Sequence, residues 1–422
     1  MIFHIKGKII KILLLLLLLA GELSYSQNTL DYYLNAAFAN NPELKENEGM
    51  AAKTDIRGNI IKAEYRQPQV YFTGDIFYPP MYPDKNDPDA IGYDIAITDG
   101  GLYSTLLNVR QPVFNKSVLE TNNLKLETEK RIYLEKSKLT KHELEKQVTE
   151  KYIIAYKYLS QIGFNENIMN LLEQQRTIIK SLAEKGILQQ SDLMLINIAI
   201  QNMIIEITDL RSAYERNLGD LNELCGLPNI IVKELTVPDI FPEFGNKQSH
   251  FLNRFVLDSL QAVYNLDVAN LKYKPQLNFY ASTGINAIEI PGIQRKFGAG
   301  FGVNLIIPIY DGHQKKFAGQ ETAIDIGIID NYKQNFIIRK ETRLEAILND
   351  IKNIDDKIMA YKLQSNNYES LIELYKAKLN TGQINMMDYL NILKSYLTLK
   401  NELALSETNK LLIINENNYY SW

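Results

Sequence analysis

The side chains that most often carry chemistry are few and scattered in this chain of 422 residues. Its histidines are His4, His142, His250 and His313 and its one cysteine is Cys225, so no His/Cys group has the spacing of a zinc site. No GxSxG elbow, P-loop or GxGxxG turn opening a helix occurs. Nothing therefore points to a catalytic residue, a metal or a cofactor. What does recur is an acid at a fixed distance from a glycine: Asp192 lies six positions after Gly186 in "EKGILQQSDLM", and Asp388 six after Gly382 in "LNTGQINMMDYL". Glycine suits the left-handed residue that ends a helix. Ser191 or Asn385 could cap the helix that returns, with the acid in its first turn, where a carboxylate meets the positive end of the helix dipole.

Long helices must position those turns. Of 13 prolines none lies between Pro112 and Pro228 and none after Pro308, leaving two long blocks without a helix breaker. Gly186 to Gly382 and Pro112 to Pro308 are both 196 positions apart, the mark of a duplication. Two further stretches agree: "EYRQPQVYFTGDI" with "LKYKPQLNFYASTGI", and "LNVRQPVFNKS" with "VNLIIPIYDGH". Leu344, Ile347, Ile351, Ile354, Ile358, Tyr361, Ser365, Tyr368, Ile372, Tyr375 and Leu379 step by three and four in a heptad stripe. Tyr152, Ala155, Leu159 and Ile162 take the same steps in the first block. The tyrosines of the stripe read as packing. From Ser117 to the break before Gly186 the helix would be ~100 Å long at 1.5 Å per residue.

Each half thus reads as a short helix, a two-strand hairpin and a long helical hairpin. Val70, Phe72, Gly74 and Ile76 share one strand face, as do Phe297, Ala299, Phe301, Val303, Leu305 and Ile307, with Gly298, Gly300 and Gly302 on the other. Period-two patterning of this kind fits a barrel wall. Asp84, Asp87, Asp89, Asp94 and Asp99 lie between the first two strands, and since their spacing is not that of an EF-hand, they read as a solvated loop. Trp422 reads as packing.

The first 26 residues have the build of a cleaved secretory signal: Lys6, Lys8 and Lys11, an apolar block from Ile12 to Ala20, and Ser24-Tyr25-Ser26 before Gln27. The block is too short to span a bilayer. Without this segment the net charge moves from −4 to about −6, so nucleic acid is not an expected partner. A single cysteine allows no intrachain disulfide, leaving burial or assembly to hold the exported chain.

With "TLDYYLNAAFANNPELKENE", "QPVFNKS", "IPIYDGH" and "KAKLNTGQINMMDYLNILKSYLTLKNELA" in this order, the chain resembles the TolC-like outer-membrane efflux proteins, the outer membrane factors. The resemblance covers nearly all of the chain after the signal and follows the family's internal duplication, dividing it into repeats at 27–227 and 228–422. It implies a mainly α fold with a small β part: a homotrimer in which each chain gives four strands to a 12-stranded outer-membrane barrel, continued by a periplasmic α-helical barrel. It implies an exit channel for efflux or type I secretion, no enzyme activity, and work with an inner-membrane pump through a periplasmic adaptor, the membrane fusion protein. In such channels the turns form the periplasmic tip, so Gly186, Ser191, Gly382 and Gln383 would meet the adaptor. Acids six and nine positions past the second turn glycine would line the narrowest ring; here these are Asp388 and Asn391, with Asp192 in the first repeat. Asn391 in place of an acid leaves the charge of that ring open. A periplasmic coiled-coil scaffold or adaptor without a pore shares the heptads and the signal, but not the paired hairpins.

Overall fold

The structure, a computed structural model, describes residues 29–77, 102–113, 115–228, 231, 234–243, 249–288 and 290–422. The signal segment 1–26 and the acids Asp84, Asp87, Asp89, Asp94 and Asp99 lie outside the described residues. In chain order the elements are α1 (Leu30–Asn40), α2 (Pro42–Arg66), β1 (Gln69–Phe77), β2 (Leu102–Val113), α3 (Lys116–Glu184), α4 (Gln190–Leu224), α5 (His250–Asn270), β3 (Gln276–Ala287), β4 (Phe297–Ile306), α6 (Gln314–Asn380) and α7 (Met386–Ser421). They form two compact units, one of described residues through Lys45 with 137–251 and 334–422, the other of 46–136 with 252–333.

The first half opens with two helices where one short helix was expected. Asn41 takes extended torsions, ψ 122°, because the proline that follows disfavours the helical region for the residue before it. The same asparagine then caps α2, its Oδ1 accepting from Leu44 N at 3.0 Å, and Pro42 takes the first helical position, where its missing N–H costs nothing. Thr29 Oγ1 caps α1 by accepting from Tyr32 N at 3.3 Å.

In the unit that holds the strands, β1, β2, β3 and β4 form one antiparallel sheet in that order. Gln69 pairs with Arg110, Pro112 with Asn278 and Gln276 with Ile306, so all four strands meet helices at the same end. Arg110 donates from Nε and Nη2 to the buried Asn278 Oδ1 at 3.3 and 3.2 Å. Among the described residues β1 and β4 each have a ladder on one side only. The apolar residues of the expected strand faces are left to the surroundings: Ile76 is 74% exposed and Phe301 82%, with Phe72, Phe297, Val303 and Leu305 also exposed.

The other unit is held by burial along α1, α3, α4, α6 and α7. Tyr33, Tyr152, Ile179, Ile196, Leu218, Leu379 and Met386 are buried in one core. Every residue of the heptad stripe on α6 is buried or half-buried, with Ile347, Ile358, Ser365, Ile372 and Leu379 the most covered. Ser365 is accommodated because its Oγ donates to Glu369 Oε1 at 3.1 Å, and Tyr368 and Tyr375 pack on the core. Ion pairs set the register of α6 against α7: Arg343 with Glu416, both contacts at 2.7 Å, Asp355 with Lys410, Lys362 with Glu407 and Glu369 with Lys400. Each such surface pair contributes little on its own; together they exclude a shifted alignment. Asn40 Nδ2 donates to the carbonyls of Cys225 and Gly226 at 3.0 and 3.2 Å, tying α1 to the end of α4. Burial pushes the Cys225 thiol up to about 12, so it stays neutral and unreactive. Trp422 stacks on His142 and His250 with ring centroids 4.2 and 4.6 Å apart, a packing role.

Candidate functional site

The two turns are built alike. After α3, Gly186 N donates to Ala183 O at 3.0 Å and Ile187 N to Leu182 O at 2.9 Å. After α6, Gly382 N donates to Leu379 O at 3.0 Å and Gln383 N to Lys378 O at 2.9 Å. Both glycines are left-handed, with φ of 73° and 71°, and the pattern is the Schellman closure that satisfies the last carbonyls of a helix. A Cβ on Gly186 would meet open space, whereas one on Gly382 would stand 3.4 Å from Ile187 Cγ2. The fold therefore brings the two turns side by side within one chain.

The returning helices start differently. At α7 Asn385 is the cap, its Oδ1 accepting from Asp388 N at 2.9 Å, as one of the two sequence candidates required. At α4 the cap is Gln189, and Ser191 already lies inside the first turn. Gln189 N donates to Asp192 Oδ2 at 3.0 Å and Ser191 Oγ to Gln189 Oε1 at 3.2 Å. The reason is geometric: the acid three residues past the cap reaches back to the cap's N–H, a capping-box contact, and Ser191, already helical, is past the position from which a side chain caps.

The acids consequently differ. Asp192 is half-buried and engaged, while Asp388 is exposed and its carboxylate has no hydrogen bond or ion pair among the described residues. Asn391, one turn along, is also exposed. Between them Tyr389 is fully buried, and its burial, then the nearby Glu373 charge, pushes the phenol up to about 12. Gly186, Ser191, Gly382 and Gln383 are all exposed. Asp388, Asn391 and the turn residues thus share a solvent-facing surface above an apolar floor of Leu379, Met386 and Leu393.

One helix among the described residues, α4, is long and apolar enough to cross a membrane by length and composition. It instead gives Ile196, Ile200, Met203 and Ile207 to the core.

No protein-family model matches the sequence, and no curated protein is similar to it. Solved structures do match, over 93% of the chain. The CmeC outer membrane channel of Campylobacter jejuni aligns with TM-score 0.70 at 13% identity over 85% of its own chain. The outer membrane protein VceC of Vibrio cholerae aligns with TM-score 0.70 at 10% identity over 96%, and CusC, described for transmembrane channel formation, with 0.69 at 15% over 92%. The chain has the outer-membrane channel fold.

In that fold the mostly helical chain carries one small antiparallel sheet, as the resemblance to TolC-like proteins implied. Sequence reading found the turn glycines of the channel fold and the Asn385 cap, but missed Gln189 and the Ile187 contact. Asp192 at a distance of three from Gln189 was a usable signal for the cap. Nothing in the sequence announces Ile187 against Gly382, since that contact depends on how two helical hairpins are laid together.

Proposed function

We propose that the protein is the outer-membrane exit channel of a tripartite efflux or type I secretion system. It works as a homotrimer, each chain supplying four strands to a 12-stranded barrel and its helices to a periplasmic α-barrel. Repeats at 27–227 and 228–422 make equivalent contributions. The observation that carries this reading is the four-stranded sheet with unpaired edges at β1 and β4 in a chain whose helices α3 and α6 run for 69 and 67 residues. Backbone groups at an open edge have no partner in hydrocarbon, so only closure with other copies lets such a sheet span a membrane. Helices of ~100 Å suit the crossing of a periplasm. The channel fold of the structural neighbours supports the same reading.

The turns around Gly186, Ser191, Gly382 and Gln383 form the tip that meets a periplasmic adaptor, through which an inner-membrane pump delivers its cargo. Asp388, with Asn391 and Asp192, forms the gate ring. Three copies of the Asp388 carboxylate in a constricted, partly desolvated ring draw cations and repel one another. Membrane fractionation with unheated electrophoresis tests the assembly: recovery in the outer membrane as a heat-sensitive trimer is expected. Recovery only as a soluble periplasmic monomer would replace the channel with a pore-free coiled-coil scaffold.

A further inference from the structure

The end of the sheet that meets the helices carries a concentration of cations. Arg66 closes α2, Lys116 opens α3, Lys272 and Lys274 lie between α5 and β3, and Lys315 and Lys316 open α6. The chain as a whole has a net charge of −4, so this is a local excess. Among the described residues Lys272, Lys274, Lys315 and Lys316 make no ion pair, whereas Lys362, Lys400 and Lys410 on the helical hairpin all do. Lys116 lies 3.9 Å from Glu120, but Lys272, Lys274, Lys315 and Lys316 are left for something outside the described residues to neutralise.

They are also held in place. Lys272 Nζ and Lys315 Nζ both stand over the ring of Tyr273, 4.9 and 5.9 Å from its centre. Lys272 donates to Gln314 Oε1 at 3.4 Å, and Lys274 to Ser117 Oγ. The Asp311 carboxylate in the same segment is occupied: it accepts from His313 N at 2.9 Å, Lys315 N at 2.8 Å and the Tyr273 side chain. Two ammonium groups sharing one aromatic ring repel each other, and an anion touching both removes that repulsion.

Apolar surface leads straight to this cluster. Val303, Leu305, Ile306, Ile307 and Ile309 are all exposed, Tyr310 is 77% exposed, and Lys315 and Lys316 follow within six residues. A groove of about 490 Å³ beside Lys272 and Tyr273 is lined further by Ala269, Phe317 and Glu321. The sequence apolar, aromatic, cationic is that of a membrane boundary, where rings sit at the headgroup level and lysines reach beyond it.

We propose that Lys272 and Lys315, supported by Lys274 and Lys316, bind the phosphate headgroup of an anionic phospholipid whose acyl chains lie along the exposed face of β4. The proposal rests on the outer-membrane reading and adds a specific lipid class on the helical side of the bilayer, which fixes the depth at which the sheet sits. Native mass spectrometry of the detergent-extracted full chain, offered phosphatidylglycerol or phosphatidylcholine at equal concentration, tests it. The wild type retains phosphatidylglycerol in preference, and Lys272→Gln/Lys315→Gln weakens that binding roughly 25-fold without changing retention of phosphatidylcholine. Lys362→Gln/Lys410→Gln, altered in paired lysines on the hairpin, keeps the preference. Equal retention of the two lipids by the wild type, or a preference that survives the Lys272/Lys315 change, overturns the assignment. So does inorganic phosphate binding as tightly as phosphatidylglycerol, which would make the site one for a free anion. Fractionation of the same preparation separates the two readings: an outer-membrane trimer without lipid preference ends this proposal alone, and a soluble monomer ends both.

Discussion

Ile187 Cγ2 lies 3.4 Å from the point where a Cβ on Gly382 would stand, while the matching point on Gly186 faces open space. The turns share their torsions but not their room. A substitution that asks only for left-handed torsion and one that also asks for volume can therefore be told apart in a single molecule.

Gly186→Val will cost about 1–2 kcal/mol from the left-handed backbone alone. Gly382→Val will cost more, because the methyls press on Ile187. Adding Ile187→Ala to Gly382→Val will recover part of the loss, although Ile187→Ala has no such benefit in the wild type. Thermal unfolding of the four variants checks this; equal losses at the two glycines would show that the contact carries no weight.

At the starts of the returning helices the caps make opposite demands on two polar residues. Asn385→Ala removes the acceptor of Asp388 N and will lower stability by about 1 kcal/mol. Ser191→Ala will stay within about 0.5 kcal/mol of the wild type, since the N–H of the cap residue is held by Asp192. Denaturant midpoints at constant slope give both values. A Ser191→Ala loss as large as that of Asn385→Ala would return the capping role to the serine.

Asp388 offers a test of the gate. With its carboxylate exposed and unpaired among the described residues, Asp388→Asn will lower cation selectivity in planar bilayers, and Asp192→Asn will do so less because Asp192 is engaged with Gln189 N. If reversal potentials of wild type and Asp388→Asn coincide while the trimer persists, the acid serves its helix terminus, a contribution of typically 0.3–1 kcal/mol.

Midway along α6 and α7 the Glu369 carboxyl is held below its ordinary value, first by the hydrogen bond from Tyr396 OH at 2.8 Å and then by Lys400 and Ser365, against the effect of desolvation. A depressed carboxylate stabilises the folded state above its unfolded value, about pH 4.3, and that contribution is lost as pH falls through the folded value. Tyr396→Phe will thus be less stable near neutrality, and its difference from the wild type will shrink as the pH falls through that window. A difference that stays constant with pH would place the role of Tyr396 in packing alone.

What the sequence made legible follows from how local each signal is. The heptad stripe from Leu344 to Leu379 was readable because a helix repeats its buried face every three or four residues, and every member is covered in the structure. The left-handed glycines were readable because no other residue takes that torsion cheaply. The break at Asn41-Pro42 was present in the sequence too, and the proline rule would have separated α1 from α2. By contrast, the pairing of β2 with β3 joins Val113 to Leu277 across the whole α3–α4 hairpin and α5, and the Asn40 tie to Cys225 and Gly226 spans 185 and 186 positions. Contacts of that range leave no periodic trace. The gate role proposed for Asp388 and Asn391 came from family resemblance, because a ring of the kind proposed, made by three chains, would have no signature within one.

The two open edges of the sheet bear on how the molecule comes into being. Helix formation is local and proceeds at a rate independent of concentration, but the edges of β1 and β4 have no strand partner among the described residues. On the trimeric reading proposed above, completion of the strand region is an encounter between molecules, slower the more dilute they are. A chain awaiting that encounter carries formed helices beside bare, apolar strand edges, the kind of species most given to edge-to-edge aggregation. On the same reading, covering β1 and β4 before assembly protects the chain, and raising expression alone favours aggregate.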